Sequence, residues 1–139
     1  MEGKGYRLAE NEWVGIVPDY TEAIKYCEIG AFCGHNVVSF AKRFVKNPES
    51  KLYCIDPWIS YADCPDDHYG SHQQNYLAFH KNVIQFGLTD MVVERRGYSS
   101  EEMVKFEDGF FDIIFVDGNH QEPYYEQDFE VSKQKLKSV

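Results

Sequence analysis

The chain lacks long apolar runs and is poor in basic residues. No apolar stretch approaches the roughly 20 residues that a membrane-spanning helix needs, and residues 1–7 lack the apolar core of a secretory signal. A soluble, cytoplasmic protein without a membrane partner is therefore expected. Fourteen lysines and arginines stand against 23 aspartates and glutamates, a net charge of −9. Such a chain repels a phosphate backbone unless its cations gather on one face, so nucleic acid is not an expected partner.

The cysteines also lack a pattern of their own. None of the four has the C-x-x-C spacing of zinc and redox sites, and Cys27 and Cys54 fall inside apolar strand-like runs. Reduced thiols in an intracellular protein are the simplest interpretation. Repeats, low-complexity tracts and Ser/Gly linkers are absent as well. With 139 residues the chain is expected to form one domain, 1–139, because domains commonly contain about 100–150 residues.

Apolar periodicity predicts strands that alternate with helices. Strands are predicted at 24–29, 51–55, 91–96 and 110–116, and helices at 36–46, 76–86, 99–106 and 123–136. In the last helix, the buried face is predicted to carry Tyr125, Phe129, Ser132 and Leu136. Residues 1–22 are predicted to form an arm that covers one edge of the sheet. Near-continuous apolar strands between helices indicate an α/β fold, a doubly wound parallel sheet covered on both faces.

A glycine turn after the first strand is the clearest sign of a ligand site. Residues 28–34 read Glu-Ile-Gly-Ala-Phe-Cys-Gly, and glycine lets a backbone pass close to a ligand because it has no Cβ. Asp56 ends the second strand, near the place where Rossmann-type domains bind ribose hydroxyls. The fourth strand delivers Asp117 and His120 to the same carboxyl edge of the sheet.

Three segments, E-I-G-x-x-x-G, I-D-P-W and V-D-G-N-H, together resemble the class I S-adenosylmethionine-dependent methyltransferases. The likeness is strongest to small-molecule and sugar O-methyltransferases with a V-D-G-x-H motif, and it runs from about residue 24 to 136. It implies a Rossmann-like sheet with strand order 3-2-1-4 that is truncated at its C-terminus relative to the full methyltransferase fold. The fourth strand would then be an exposed edge. Two alternatives follow: a homodimer through that edge, or a sequence that is a fragment of a longer chain.

The resemblance also implies which residues hold the cofactor. Those at the methionine and sulfonium end all lie in the glycine turn: Glu28, Gly30, Ala31, Phe32 and Gly34. Those around the adenosine follow the second and third strands: Asp56 at the ribose hydroxyls, Pro57 and Trp58 beside the adenosine, and Gly97, Tyr98 and Ser99 at the adenine. Judged by residue type alone, Trp58 also suits an ordinary core and 98–99 an ordinary helix cap.

His120 is the candidate general base. Methyl transfer is a direct displacement by an acceptor oxygen or nitrogen, and a hydroxyl acceptor must also lose its proton. An imidazole with an ordinary pKa of about 6.5 suits that task, although His120 would equally suit packing or capping beside the last helix. Asp117 would orient His120 or, as in similar O-methyltransferases, bind a divalent cation such as Mg²⁺ that lowers the acceptor's pKa.

The turn also bears on the choice of cofactor. A dinucleotide's pyrophosphate needs G-x-G-x-x-G, and Phe32 stands at the second glycine of that fingerprint. S-adenosylmethionine has no phosphate and is the expected cofactor. The predicted function is methylation of a small-molecule or sugar hydroxyl, with a lid over the substrate made by residues 59–73. The alternatives are a non-catalytic binding module, truncated relative to the full fold, and an NAD-binding Rossmann protein.

Overall fold

The computed structural model describes residues 1–3, 5, 7–60, 71–119 and 121–138. Strands occupy β1 Lys25–Ile29, β2 Lys51–Asp56, β3 Val92–Arg96 and β4 Ile113–Val116. Helices occupy α1 Leu8–Asn11, α2 His35–Phe44, α3 His72–Gln85, α4 Ser99–Glu102 and α5 Tyr124–Lys135, with a 3₁₀ turn at Met103–Lys105 after α4. Among the described residues, no helix is long and apolar enough to cross a membrane.

The four strands form a parallel sheet in the order β3-β2-β1-β4. This order confirms the predicted Rossmann-like topology. Ile29 at the end of β1 stands opposite Ile55 of β2 and Val116 of β4, so the chain leaves all three strands at the same edge. The strand order reverses between β1 and β4, which is where ligands bind in open α/β sheets.

Apolar side chains cover both faces of the sheet. Neighbouring residues of a strand point to opposite faces, so Tyr26 stacks on Phe40 of α2 with ring centroids 4.1 Å apart, while Cys27 packs with Met103 on the other side. The two clusters divide the core between α2 and α3 on one face and α4, the 3₁₀ turn and α5 on the other. The sheet is therefore doubly wound, as the apolar strands predicted.

The N-terminal arm packs on a face of the sheet, not on the predicted edge. The backbone N–H of Ala9 donates to Oδ1 of Asn36 at 3.0 Å. The ring of Trp13 lies 6.0 Å from that of Phe40 in α2 and 4.8 Å from that of Phe115 in β4. An indole gains more from burial against two aromatic rings than it could gain along a backbone edge.

Of the face predicted to be buried in helix α5, only Ser132 is buried. Tyr125, Phe129 and Leu136 are 43%, 40% and 40% exposed. The buried side chains of this helix are instead polar: Asp128, Ser132 and Lys135. Lys135 can be buried because its ammonium group donates to the Phe106 carbonyl and to Asp108, both at 2.8 Å. Asp128 and Lys135, whose polar groups are hydrogen-bonded, thus take the place that an apolar pattern reserves for aromatic rings.

Helix α3 begins earlier than the sequence predicted. Ser71 caps it: its Oγ accepts from the N–H of Gln74, whose side chain accepts from the Ser71 N–H in return. This reciprocal box stabilises the first turn ahead of the apolar stripe that begins at Tyr76. Residues 61–70 lie outside the described part of the chain, and with them most of the predicted lid.

Candidate cofactor site

A cavity of about 480 Å³ opens at the carboxyl edge of the sheet. Small-molecule sites commonly measure about 300–1,000 Å³. Residues that follow all four strands line it, and α5 closes it with Tyr124, Gln127 and Asp128. The cavity therefore lies beside the reversal of strand order, where the topology places a ligand.

The structure brings six of the eleven predicted cofactor residues to this cavity. They are Gly30, Asp56, Pro57, Gly97, Tyr98 and Ser99. The other five do not belong to its lining: Glu28, Ala31, Phe32, Gly34 and Trp58. Asp117, predicted for catalysis, is not part of the lining either. His120 lies outside the described residues. Most of the residues predicted around the adenosine thus line the cavity together. Of the residues predicted at the methionine, only Gly30 lines it.

Gly30 joins three strand ends. Its N–H donates to the Ile55 carbonyl at 2.8 Å, and the Asp117 N–H donates to the carbonyl of Ile29 at 2.8 Å. Gly30 has φ +91°, and a Cβ at this position would lie 2.0 Å from the Asp117 carbonyl oxygen. Glycine is needed here because the backbone of β4 passes directly against it, and this close approach shapes the cavity floor.

Gly34 serves helix packing, not the cavity. It has φ +80°, and a Cβ there would lie 2.9 Å from the ring of Phe79. The glycine lets α2 begin against α3. The contact of Gly34 with methionine stays a prediction.

Asp56 braces two residues in unusual conformations. Its Oδ2 accepts from the N–H of Phe32 at 3.0 Å and its Oδ1 accepts from the N–H of Trp58 at 2.8 Å. Phe32 and Trp58 have φ of 53° and 48°, a left-handed region that bulky side chains rarely adopt. Burial raises the pKa of Asp56, and the two N–H bonds partly oppose that shift. The carboxylate thus holds the ends of β1 and β2 in register while it lines the cavity.

Trp58 belongs to the core. It is 1% exposed and packs against Tyr76 and Phe79, with ring centroids 4.9 and 5.0 Å away. Its indole N–H donates to the Phe32 carbonyl at 2.7 Å. Trp58 thus packs as a core residue, and of this pair Pro57 lines the cavity.

Glu28 faces α2 on the other side of β1. It is 1% exposed, and its Oε1 accepts from the Tyr26 hydroxyl at 2.6 Å and from Nδ2 of Asn36 at 2.8 Å. Burial raises the pKa of Glu28 to about 7, although both hydrogen bonds lower it. Glu28 therefore ties the end of β1 to helix α2, which is a contact within the protein and not with the cavity.

Asp128 is the residue that sequence reasoning missed. It lines the cavity from α5 and is 5% exposed. Its Oδ1 accepts from the Ser99 hydroxyl at 2.5 Å, and burial raises the pKa of its carboxyl. A signal was present, because Tyr124 and Asp128 are four residues apart and share a helix face with Gln127.

The described lining of the cavity is acidic. It contains two carboxylates, Asp56 and Asp128, and no lysine, arginine or histidine. A pyrophosphate would find no cation there, whereas a sulfonium or ammonium group would be attracted. The donor and acceptor set of these residues therefore fits S-adenosylmethionine better than a dinucleotide.

No metal centre is evident in the part of the chain that the structure describes. Within it, no three histidine, cysteine, aspartate or glutamate side chains are grouped to hold an ion. Asp117 as a metal ligand stays a prediction.

Comparisons with known proteins agree with this geometry. A family described as "Methyltransferase domain" matches residues 27–138, whereas no curated protein matches. Among solved structures, the O-methyltransferase TomG from Streptomyces achromogenes in complex with SAM is 18% identical with a TM-score of 0.59, over 84% of this chain and 45% of that one. The O-methyltransferase from Bacillus cereus in complex with SAH is 18% identical with a TM-score of 0.54, over 78% and 44%.

The same fold also occurs with another activity. A precorrin 8w decarboxylase from Methanobacterium thermoautotrophicum is 21% identical with a TM-score of 0.59, and the match covers 86% of this chain and 51% of that one. This chain thus spans about half the length of the structures it matches, and at such identities the likeness concerns the fold. The family match covers most of the chain, however, and with it this chain belongs to the class I S-adenosylmethionine-dependent methyltransferases.

Proposed function

We propose that this chain binds S-adenosylmethionine at the carboxyl edge of its sheet and supports methylation of a small-molecule or sugar hydroxyl. The acidic cavity carries the proposal, since it is lined by four strand ends and by two carboxylates without a cation. The V-D-G-N-H segment and the likeness to two O-methyltransferases support a hydroxyl acceptor.

The lining residues suggest how the adenosyl group is held. Each oxygen of Asp56 accepts one backbone N–H and has a second lone pair for a ribose hydroxyl. Tyr98 is 46% exposed and lines the cavity, so its ring can stack on the adenine. Gly97 and Ser99 flank that position with small side chains.

The residues that follow β4 are proposed to act on the methyl acceptor. S-adenosylmethionine supplies a methyl group activated by the positive sulfur. The N–H of Asp117 donates to the carbonyl of Ile29 in β1, so residues 117–119 leave the sheet beside the glycine turn. We assign the acceptor's hydroxyl proton to His120 as general base. Asp117 orients that imidazole or holds a divalent cation such as Mg²⁺.

A matched pair of tyrosines tests the cofactor site. Tyr98→Ala should weaken S-adenosylhomocysteine binding about tenfold, because base–aromatic stacking contributes about 1–3 kcal/mol. Tyr125→Ala should not, since Tyr125 is similarly exposed at 43% but lies away from the cavity. Isothermal titration of both variants decides, and equal loss or no loss in both would count against the site.

The assignment of His120 has its own test. His120→Ala should keep its affinity for S-adenosylhomocysteine and lose methyl transfer to a hydroxyl acceptor. A non-catalytic binding module would show no turnover in either protein. An NAD-binding protein would instead change the fluorescence of added NADH. We expect no such change, because the described lining of the cavity contains no cation.

A further inference from the structure

The N-terminal segment lies against the glycine turn, outside the lining of the cavity. Glu2, Gly3 and Gly5 form a strap over the turn and the start of α2, and all three are exposed. A Cβ at Gly3 would lie 2.6 Å from Sγ of Cys33. A Cβ at Gly5 would lie 2.7 Å from Cγ of His35. The strap can therefore lie this close to the turn only because these two positions carry no side chain.

A buried amide joins the strap to the turn. Asn82 of α3 is 0% exposed. Its Oδ1 accepts from the Glu2 N–H at 2.7 Å, and its Nδ2 donates to the Glu2 carbonyl at 2.9 Å. The same Nδ2 also donates to the Cys33 carbonyl at 2.9 Å. One side chain thus holds the strap and the turn together, so a movement of the strap changes a contact of the turn.

Two further contacts of the strap are exposed to solvent. The Glu2 carbonyl accepts from Nε2 of His35 at 2.7 Å. The Glu2 carboxylate lies 3.5 Å from Nζ of Lys81, but both side chains are more than half exposed, and such ion pairs add little stability. Helix α1 is anchored separately, since the Ala9 N–H donates to Asn36. The strap can therefore lift at low cost in free energy while α1 stays in place.

The turn needs support because one of its residues is strained. Phe32 has φ 53°, a conformation that persists only where the surroundings hold it. Asp56, which lines the cavity, accepts from the Phe32 N–H at 3.0 Å, while Asn82 holds the next residue, Cys33, by its carbonyl. When the strap lifts, Asn82 loses both of its contacts with Glu2. The turn, and with it the partner of Asp56, is then less firmly fixed.

We propose that the strap is a conformational switch for the cofactor site. When closed, it holds the glycine turn in the shape that binds an adenosyl cofactor; when lifted, it loosens the turn and exposes the thiol of Cys33. The link to the cofactor rests on the proposed function, whereas the shielding of Cys33, which is 1% exposed, does not. Coupling is reciprocal, so a bound cofactor favours the closed strap by the factor by which closure favours the cofactor.

Alkylation of Cys33 measures how often the strap is open. Iodoacetamide needs an accessible thiolate, and mass spectrometry of the Cys33 peptide gives the rate of modification. In wild-type protein, saturating S-adenosylhomocysteine should slow this alkylation at least about fivefold, the lower end of typical coupling factors. An unchanged rate at saturation, with saturation established by isothermal titration, would overturn the switch.

Gly3→Ala shifts the strap without altering the cavity. Its new Cβ would meet Sγ of Cys33, so the strap should lift, alkylation should become at least about fivefold faster, and S-adenosylhomocysteine should bind more weakly by a similar factor. Gly109→Ala is the matched control. Gly109 has φ +70° against +78° for Gly3, and no atom lies within 4 Å of a Cβ there. It should keep the wild-type rate and affinity.

His35→Ala keeps the test decisive if Gly3→Ala does not fold. It removes the hydrogen bond to the Glu2 carbonyl from a half-buried side chain, so it should also speed alkylation of Cys33 and weaken binding of S-adenosylhomocysteine. His80→Ala is its control, because His80 is similarly half-exposed on α3 but pairs with Glu94 of β3, away from the strap.

The outcomes separate the switch from the function beneath it. Faster alkylation with unchanged affinity for S-adenosylhomocysteine would show that the strap only shields Cys33 and would overturn the switch. Wild-type rates in both folded variants would overturn the shielding as well. Binding of no S-adenosylhomocysteine by folded wild-type protein would overturn the proposed function and the switch together, while the alkylation rates would still decide the shielding.

Discussion

At the scale of single residues, backbone geometry accounts for the glycine turn better than ligand contact does. Gly30 and Asp117 approach so closely that a Cβ would collide with a carbonyl oxygen. Asp56 adds the second constraint, since it holds Phe32 and Trp58 in left-handed conformations. The cavity wall is therefore built by backbone contacts between strand ends, and its shape exists before a ligand binds.

Gly30→Ala should destabilise the protein severely, by about 3 kcal/mol or more, because the new Cβ would lie 2.0 Å from the Asp117 oxygen. Gly15→Ala is the matched control. Gly15 has a similar φ of +88°, and no atom lies within 4 Å of a Cβ at this position. Gly15→Ala should therefore lower the free energy of unfolding by only about 1 kcal/mol. Urea denaturation measures both, and equal losses would show that φ alone, not the approach of β4, requires glycine.

At the scale of elements, a buried chain of hydrogen bonds connects strand β1 to the N-terminal helices. Oε1 of Glu28 accepts from Asn36 in α2, and Oδ1 of Asn36 accepts from the N–H of Ala9 in α1. Tyr26 completes the cluster on β1. Polar residues can be buried here because each donor meets an acceptor, and the arm is thereby tied to the strand that ends in the glycine turn.

Glu28 should make stability depend on pH. Burial raises its pKa from 4.5 to about 7, so the folded protein holds a proton that the unfolded chain releases. Its contribution is fully present below about pH 4.5 and is lost as the pH rises to about 7, by up to about 3 kcal/mol. Glu28→Gln should remove that loss. The free energy of unfolding of the variant, relative to that of wild type, should therefore increase as the pH rises from 5 to 7.5.

The exposed Glu49 supplies the control for this pH profile. Glu49→Gln should follow the wild-type profile, because the Glu49 side chain is exposed and does not belong to the buried hydrogen-bonded cluster around Glu28. Urea denaturation at several pH values gives both comparisons. A Glu28→Gln profile parallel to wild type across this window would contradict the account.

At the scale of the whole molecule, β4 forms one edge of the described sheet. Residues after α5 already touch its beginning, where the Phe111 N–H donates to the Lys135 carbonyl and the Lys137 N–H donates to the Phe111 carbonyl. Beyond that bridge, the described residues place no strand on the side of Ile113–Val116 that faces away from β1. The rings of Tyr125 and Phe129 form an exposed aromatic pair on α5, with centroids 4.8 Å apart.

We expect two copies to associate through the β4 edge, since an apolar edge strand is a template for pairing. Light scattering after size exclusion should show mass rising with concentration, against the repulsion of a −9 charge. Phe129→Glu should reduce that rise if α5 borders the contact, and Leu77→Glu, at 50% exposure on α3, should not. A monomer at every concentration would contradict the expectation.

The sequence predicted the fold more fully than the site. Alternating apolar strands and helices have few packing solutions, so the strand order and the carboxyl-edge position of Asp56 followed from pattern and topology. The position of Asp128 did not follow from the sequence pattern. The buried face of a helix is predicted from its apolar residues, whereas α5 buries polar side chains. Sequence spacing also does not show which neighbour packs beside Trp58 and Gly34; in the structure it is Phe79 of α3.

The central claim is that the carboxyl-edge cavity is the cofactor site. A titration of ¹⁵N-labelled protein with S-adenosylhomocysteine, followed by amide chemical shifts, tests it most directly. The account predicts saturable shifts that are largest at Gly30, Gly97, Ser99 and Gly118, with the amides of Asp90 and Gly15 unchanged. Saturable shifts confined to residues away from the cavity, or none in the folded protein, would contradict it.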